Sequence, residues 1–190
     1  MFDAATTKET TRFEGLVTVE DTGLAGMITI RGARSEIGGA MSDTVGLPVP
    51  ETLRVTTDGR RSLAWMSPDE LMLFCGHEEA ADLAARLAEA TARAHALILD
   101  MSDARTLFTL TGAEASLREV LAKLTPADMR TQAFPRGMIR RTRLAQVSGA
   151  IWWADDGSLR VMCFRSVADY VRGLLCHAAH PASWVGHFRD

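Results

Sequence analysis

Residues 95–124 read HALILDMSDARTLFTLTGAEASLREVLAKL. Ala96 to Leu99 is an apolar run ending at Asp100, and Thr106 to Leu110 is a second run rich in β-branched and aromatic residues. Met101-Ser102-Asp103-Ala104 forms the turn between them. Ala113, Leu117, Val120, Leu121 and Leu124 then fall on one face of a helix. Thr111, with Glu114 three residues on, is expected to cap that helix as a capping box. The stretch therefore predicts strand, turn, strand, helix.

The pattern recurs upstream. Shifted by about 80 positions, Leu16-Val17-Thr18-Val19-Glu20 lies under Ala96 to Asp100, and Met27-Ile28-Thr29-Ile30 lies under Leu107 to Leu110. Gly32-Ala33 matches Gly112-Ala113, Ile37 matches Leu117 and Met41 matches Leu121. Shifted by about 87, Trp65 lies under Trp152, Phe74 under Val161, Asp82 under Asp169 and Leu87 under Leu174. The change of offset places a short insertion within residues 126–140. The fold class expected is α+β, a duplicated β-β-α-β-β-α unit with mostly antiparallel sheets and helices packed on them. One unit alone leaves an apolar sheet face uncovered, and two together bury it. The expected organisation is a flexible arm over 1–14, a first half over 15–94 and a second half over 95–190, the halves forming one compact unit.

Outward from this core, helices are expected over 33–45, weakened by Gly38-Gly39, and over 77–92. A last helix is expected to open at Ser166, capped with the help of Asp169. Strands are expected over 63–66, 70–74 and 159–164, with a hairpin of 143–147 and 150–153 turning at Ser148-Gly149.

Bulk properties exclude several functions. The chain has 190 residues, 21 basic against 24 acidic, and a net charge of −3. That gives no overall attraction to nucleic acid or to an anionic membrane. No apolar run approaches the roughly 20 residues that span a bilayer, and Met1 to Arg12 does not read as a signal peptide. A cytoplasmic protein is expected, with Cys75, Cys163 and Cys176 as free thiols.

No dinucleotide fingerprint, P-loop, HExxH, CxxC or nucleophile elbow occurs. No catalytic residue and no metal site are therefore assigned. Cys176, His177, His180 and His187 fit no strong zinc template. Arg130, Arg136, Arg140, Arg141 and Arg143 gather positive charge near the insertion. A solvated face, an acidic partner surface, a polyanionic ligand and RNA all remain readings of them. Asp103 and Arg105 read as a local ion pair. Trp65, Trp152 and Trp153 read as core or interface anchors, and Trp184, beyond the last helix, as a contact for another chain. Trp184, Arg136, Arg140 and Arg141 are the candidate partner interface.

Leu63-Ala64-Trp65 with Pro68-Asp69-Glu70, Asp100 to Arg105, and Leu110-Thr111-Gly112 together resemble the gamma subunit of bacterial heterotetrameric sarcosine oxidase. Val120-Leu121-Ala122-Lys123, Phe134 with Gly137, Thr142-Arg143-Leu144-Ala145, and Arg165-Ser166 with Asp169-Tyr170 extend the resemblance over about residues 15–180. Order and spacing carry it, not any single motif. It implies a fold similar to the folate-binding domain of glycine-cleavage aminomethyltransferases. It also implies a non-catalytic, structural place beside alpha, beta and delta subunits. Those oxidise sarcosine to glycine, yield hydrogen peroxide and pass the methylene group to tetrahydrofolate. FAD, NAD and FMN belong to alpha and beta in such complexes, the folate site lies on alpha, and no cofactor is expected in this chain. Thr125-Pro126-Ala127-Asp128 resembles the aminomethyltransferase segment whose aspartate contacts folate. That makes Asp128 a weak folate-site candidate, although Ala127 stands where an asparagine is common. A free-standing folate-binding or aminomethyltransferase-like module is the alternative, and an RNA-modification accessory protein the third reading.

Overall fold

Alternation decides the architecture. In Gly26–Gly32 the side chains of Ile28 and Ile30 point to one face while Met27 and Thr29 point to the other, as the two-residue period of a strand requires. Residues 11–188 are described by the computed structural model of the chain. Their strands are β1 (Arg12–Glu14), β2 (Thr18–Asp21), β3 (Gly26–Gly32), β4 (Val55–Thr57), β5 (Ser62–Ser67), β6 (Glu70–Cys75), β7 (Ala96–Asp100), β8 (Arg105–Thr111), β9 (Ile139–Leu144), β10 (Val147–Trp153) and β11 (Leu159–Phe164). The helices are α1 (Arg34–Val45), α2 (Ala80–Ala90), α3 (Glu114–Ala122) and α4 (Ala168–Ala179). Of the arm expected over 1–14, residues 1–10 lie outside the described residues. Arg12–Glu14 is a strand, antiparallel to β2.

Two antiparallel sheets form, ordered β4-β5-β6-β3-β7 and β1-β2-β8-β11-β10-β9. They stack face to face over Met27, Met66, Met72, Phe74, Leu107, Ile139, Trp152 and Met162. The Phe74 and Trp152 rings stack at this seam with centroids 4.7 Å apart. Each outer face carries a helix layer. α1 and α2 cover Ile28, Ile30, Leu63, Leu71 and Leu73. α3 and α4 cover Phe108, Leu110, Ile151, Trp153, Leu159 and Val161. The helices attach by stripes at helical spacing: Ala80, Leu83 and Leu87 on α2, and Leu117, Val120 and Leu121 on α3.

The duplication is visible as matching strand orders, with one exchange that local patterning does not reveal. β7, which leads the second half, pairs with β3 of the first. β2, which leads the first half, pairs with β8 of the second. The halves are thus interlocked by swapped leading strands.

The structure also corrects the alignment. α2 opens at Ala80 and α4 at Ala168, so the offset here is 88, not 87. A slip of one residue moves every strand side chain to the opposite face. Trp65 packs on the helix side and its counterpart is therefore Trp153, not Trp152, which faces the seam. The expected capping boxes are absent. α3 is preceded by Ala113 and α4 by Val167, neither giving a side-chain cap, and a short 3₁₀ turn precedes α4. Glu114 is instead drawn to Arg118 and Arg136. The hairpin expected at Ser148-Gly149 turns earlier, at Ala145-Gln146 between β9 and β10, with Ala145 at φ 50°. Gly149 lies inside β10, where a Cβ would come within 2.8 Å of the Met162 carbonyl. Its lack of a side chain serves close strand approach, not a turn.

Candidate functional site

The residues singled out by sequence do not gather into one basic patch. The Asp128 carboxylate accepts the Arg130 guanidinium Nε at 2.9 and 3.0 Å and the Arg130 backbone amide at 3.0 Å. The Arg130 side chain, helped by that amide, holds its pKa down to about 2. Arg136 reaches Glu114 at 3.0 Å and lies over the Trp153 ring. Arg140 donates to the Ala133 carbonyl at 3.1 Å. Arg141 pairs with Glu70 at 3.5 Å, across to the other sheet. Arg143 donates to the Gln146 side chain at 3.0 Å, so each of the five arginines has a partner within the chain, and Arg130, Arg136 and Arg140 make theirs within or onto the segment between α3 and β9.

Sequence reading missed the residue that holds that segment. Arg118 is buried and donates to the carbonyls of Met129 (2.6 Å) and Phe134 (3.1 Å) and to Glu114 (2.6 Å), with its guanidinium over Trp153. Next to it, the buried Glu119 carboxylate accepts the backbone amides of Val185 (2.7 Å), Gly186 (2.8 Å) and His187 (3.0 Å). Burial alone pushes the Glu119 pKa up. The three amides and Lys123 outweigh it, and the net direction is down. Lys123 donates to the Ala178 carbonyl in α4 at 3.2 Å and to the Ser183 hydroxyl, just ahead of that tail, at 3.0 Å. No sequence signal marks Glu119, because its partners are backbone groups more than sixty residues away. The tail so held displays Trp184 and Val185, 47% and 72% exposed. Two large apolar groups are thereby fixed at the surface on a rigid mount, which suits contact with another chain.

A cavity of about 310 Å³ opens between the sheets at one end of the seam. Phe74, Leu107 and Trp152 line it, with Arg60, Asp156 and Arg160 among its polar residues. Asp156 accepts Arg160 at 3.2 Å and the Ser158 amide at 2.8 Å, and Arg160 also donates to the Thr109 hydroxyl. The Ser158 hydroxyl, above all, lowers the Asp156 pKa. Cys75 also lines the cavity, and burial pushes its thiol up to about 11, as it does that of Cys163 in the helix-side core. Thiols so raised are protonated near neutrality and poor nucleophiles. Cys75, Cys163 and Cys176 are free. Among the described residues, no group of three or more His, Cys, Asp or Glu side chains could hold a metal. Asp103 meets His77 at 3.9 Å, while Arg105 stacks on Phe164, so the expected Asp103–Arg105 pair does not form. No helix of the described residues is long and apolar enough to cross a membrane.

The duplicated pair of antiparallel sheets flanked by helices is an architecture found in known structures. The aminomethyltransferase T of the glycine cleavage system from Bartonella henselae shares it at a TM-score of 0.61 and 15% identity, over 82% of this chain and 44% of that one. A chain of the heterotetrameric sarcosine oxidase from Corynebacterium sp. U-96 superposes more closely, at a TM-score of 0.78 and 25% identity, over 88% of this chain and 87% of that one. The sarcosine oxidase subunit gamma of Corynebacterium sp. (strain P-1) is 28% identical over 159 residues, 82% of this chain and 76% of that protein. The description of the sarcosine oxidase, gamma subunit family matches residues 31–180, and the chain belongs to that family.

Proposed function

We propose that this chain is the small, non-catalytic subunit of a cytoplasmic sarcosine-oxidising assembly of unlike subunits. The observation that carries the reading is the family match over residues 31–180, joined to the related chain in a heterotetrameric sarcosine oxidase. The side chains support a structural role. The Arg160–Asp156 pair and the raised Cys75 thiol at the cavity are arranged for neutralisation rather than proton or acyl transfer. Buried ions and an exposed, anchored Trp184 suit a rigid docking body. The partners are alpha, beta and delta subunits, with FAD, NAD and FMN held by alpha and beta and tetrahydrofolate by alpha. Co-expression with the candidate partners tests this directly. The chain is expected to be colourless alone and to co-purify in fixed ratio with flavin-bearing chains. Flavin absorbance in the isolated chain, or its failure to co-purify, overturns the reading.

A second reading, a folate-binding module, is favoured by the fold shared with aminomethyltransferase T and by the aromatic cavity at the seam. Trp152 lines that cavity and serves as the reporter. Tryptophan fluorescence unchanged by millimolar tetrahydrofolate rejects this reading.

A further inference from the structure

The two copies of the repeat differ at the outer edges of their leading strands. Thr22 N–H donates to the Leu107 carbonyl at 3.0 Å, and Met101 N–H to the Met27 carbonyl at 2.7 Å. These matching bonds correct the shift of 80 read from the sequence by one residue: Thr18, Val19, Glu20 and Asp21 of β2 stand where Leu97, Ile98, Leu99 and Asp100 stand in β7. Antiparallel alternation turns the backbone groups of Leu97 and Leu99 toward β3 and those of Ile98 and Asp100 outward.

On β2 the outward groups are met by β1, with Arg12 opposite Glu20, Phe13 opposite Val19 and Glu14 opposite Thr18. Asp21 N–H there donates to the Thr11 carbonyl at 3.3 Å. β7 instead ends its sheet among the described residues. The side chains differ in the same sense. Thr18 and Glu20 are polar, whereas Leu97 and Leu99 are 52% and 47% exposed. A bare edge flanked by exposed leucines is a template for strand addition, which free-standing proteins block with charge.

Resting on the subunit reading above, we infer that the outer edge of β7 accepts an antiparallel strand from an unlike subunit of the assembly, in the register β1 takes on β2. That register defines the strand's chemistry. The residues opposite Leu97 and Leu99 are apolar, since directly opposed side chains lie about 4.5–5.5 Å apart. The residue opposite Ile98 takes the place of Phe13, which packs against the helix-side core of the other sheet, and is apolar as well. The segment therefore carries three consecutive apolar residues. A basic residue just before these three faces Asp100 and Asp103, and an acidic residue just after them faces Arg93 and His95.

The test uses the co-expressed assembly and gives β7 the β2 residues, Leu97→Thr with Leu99→Glu. Both positions are exposed, so the thermal midpoint of the chain is expected to stay within a few degrees of wild type. Retention of the other subunits is expected to fall at least about tenfold. In the wild-type assembly, amide exchange at Ile98 and Asp100 is expected to slow relative to the isolated chain. Unchanged retention by the variant, with unprotected amides at 98 and 100 in the wild-type assembly, overturns the inference and leaves the subunit reading standing. A dimer of the isolated chain that the variant abolishes, with the assembly intact, assigns the edge to a second copy and also overturns it. If wild type does not co-purify, both fall together.

Discussion

The helix layer of the second half carries buried ions where its counterpart in the first half carries glycines. At equivalent positions 80 residues apart, α1 carries Gly38-Gly39 and α3 carries Arg118-Glu119. Gly38 is buried, and a Cβ there would meet the Val49 side chain at 3.4 Å, about van der Waals contact. Arg118 and Glu119 reach out to Met129, Phe134 and the tail at 185–187. The first half's main ion pair, Arg61 with Glu79, lies nearer the surface and joins the Val45 carbonyl to the start of α2. One topology thus tolerates two closures. The second adds irregular segments and needs charged side chains to satisfy their backbone groups, because buried carbonyls and amides without partners are costly.

The comparison can be broken by removing those charges. Arg118→Ala strands the buried carbonyls of Met129 and Phe134 and leaves the Glu114 carboxylate to Arg136 alone, and a loss of roughly 3–5 kcal/mol is expected. The corresponding first-half change, Arg61→Ala, is expected to cost about 1 kcal/mol or less beyond its lost bond to Val45. Chemical denaturation of the two variants checks the ranking, and equal losses contradict it. Glu119→Gln keeps one acceptor oxygen but loses the charge. A loss of about 2 kcal/mol is expected, with faster amide exchange at residues 185–187 and little change in α2.

Acid sharpens the same contrast. Glu114 is lowered chiefly by Arg118, and Glu119 is lowered on balance by the tail amides. A carboxylate depressed in the folded state binds fewer protons than when unfolded. Its stabilisation is fully present above the unfolded value near 4.3 and is lost as pH falls through the folded value. Unfolding free energy should therefore drop as pH falls below about 5, and less steeply in Glu114→Gln/Glu119→Gln than in wild type. A parallel slope in the double variant refutes the assignment. The smallest expected effect lies in the first half. Gly39 is exposed and helical, with nothing within 4 Å of an added Cβ, so Gly39→Ala should stabilise by about 0.5–1 kcal/mol. Thermal unfolding checks it.

The ββα units, the duplication and the apolar stripes were legible in the sequence because strand and helix periods are local properties. The exchange of β2 and β7 was not, since pairing across halves is decided by long-range closure. The offset of 88 was missed by one residue, and parity alone moved Trp65 from the partner of Trp152 to that of Trp153. Gly149 read as a turn because glycine signals both turns and close approach. The sequence also marked Arg136, Arg140 and Arg141 as a group, but not the buried Arg118 that gives their segment its shape, since Arg118 binds carbonyls with no signature of their own. Leu97 and Leu99 read as ordinary strand residues, and only the sheet order left them uncovered.

The claim on which the rest depends is that this chain works as a docked subunit. Native mass spectrometry of the chain co-expressed with its candidate partners tests it most directly. The prediction is one species that contains the 20.7 kDa chain in whole-number ratio with flavin-bearing chains. A free 20.7 kDa species beside an assembly complete without it would contradict the account.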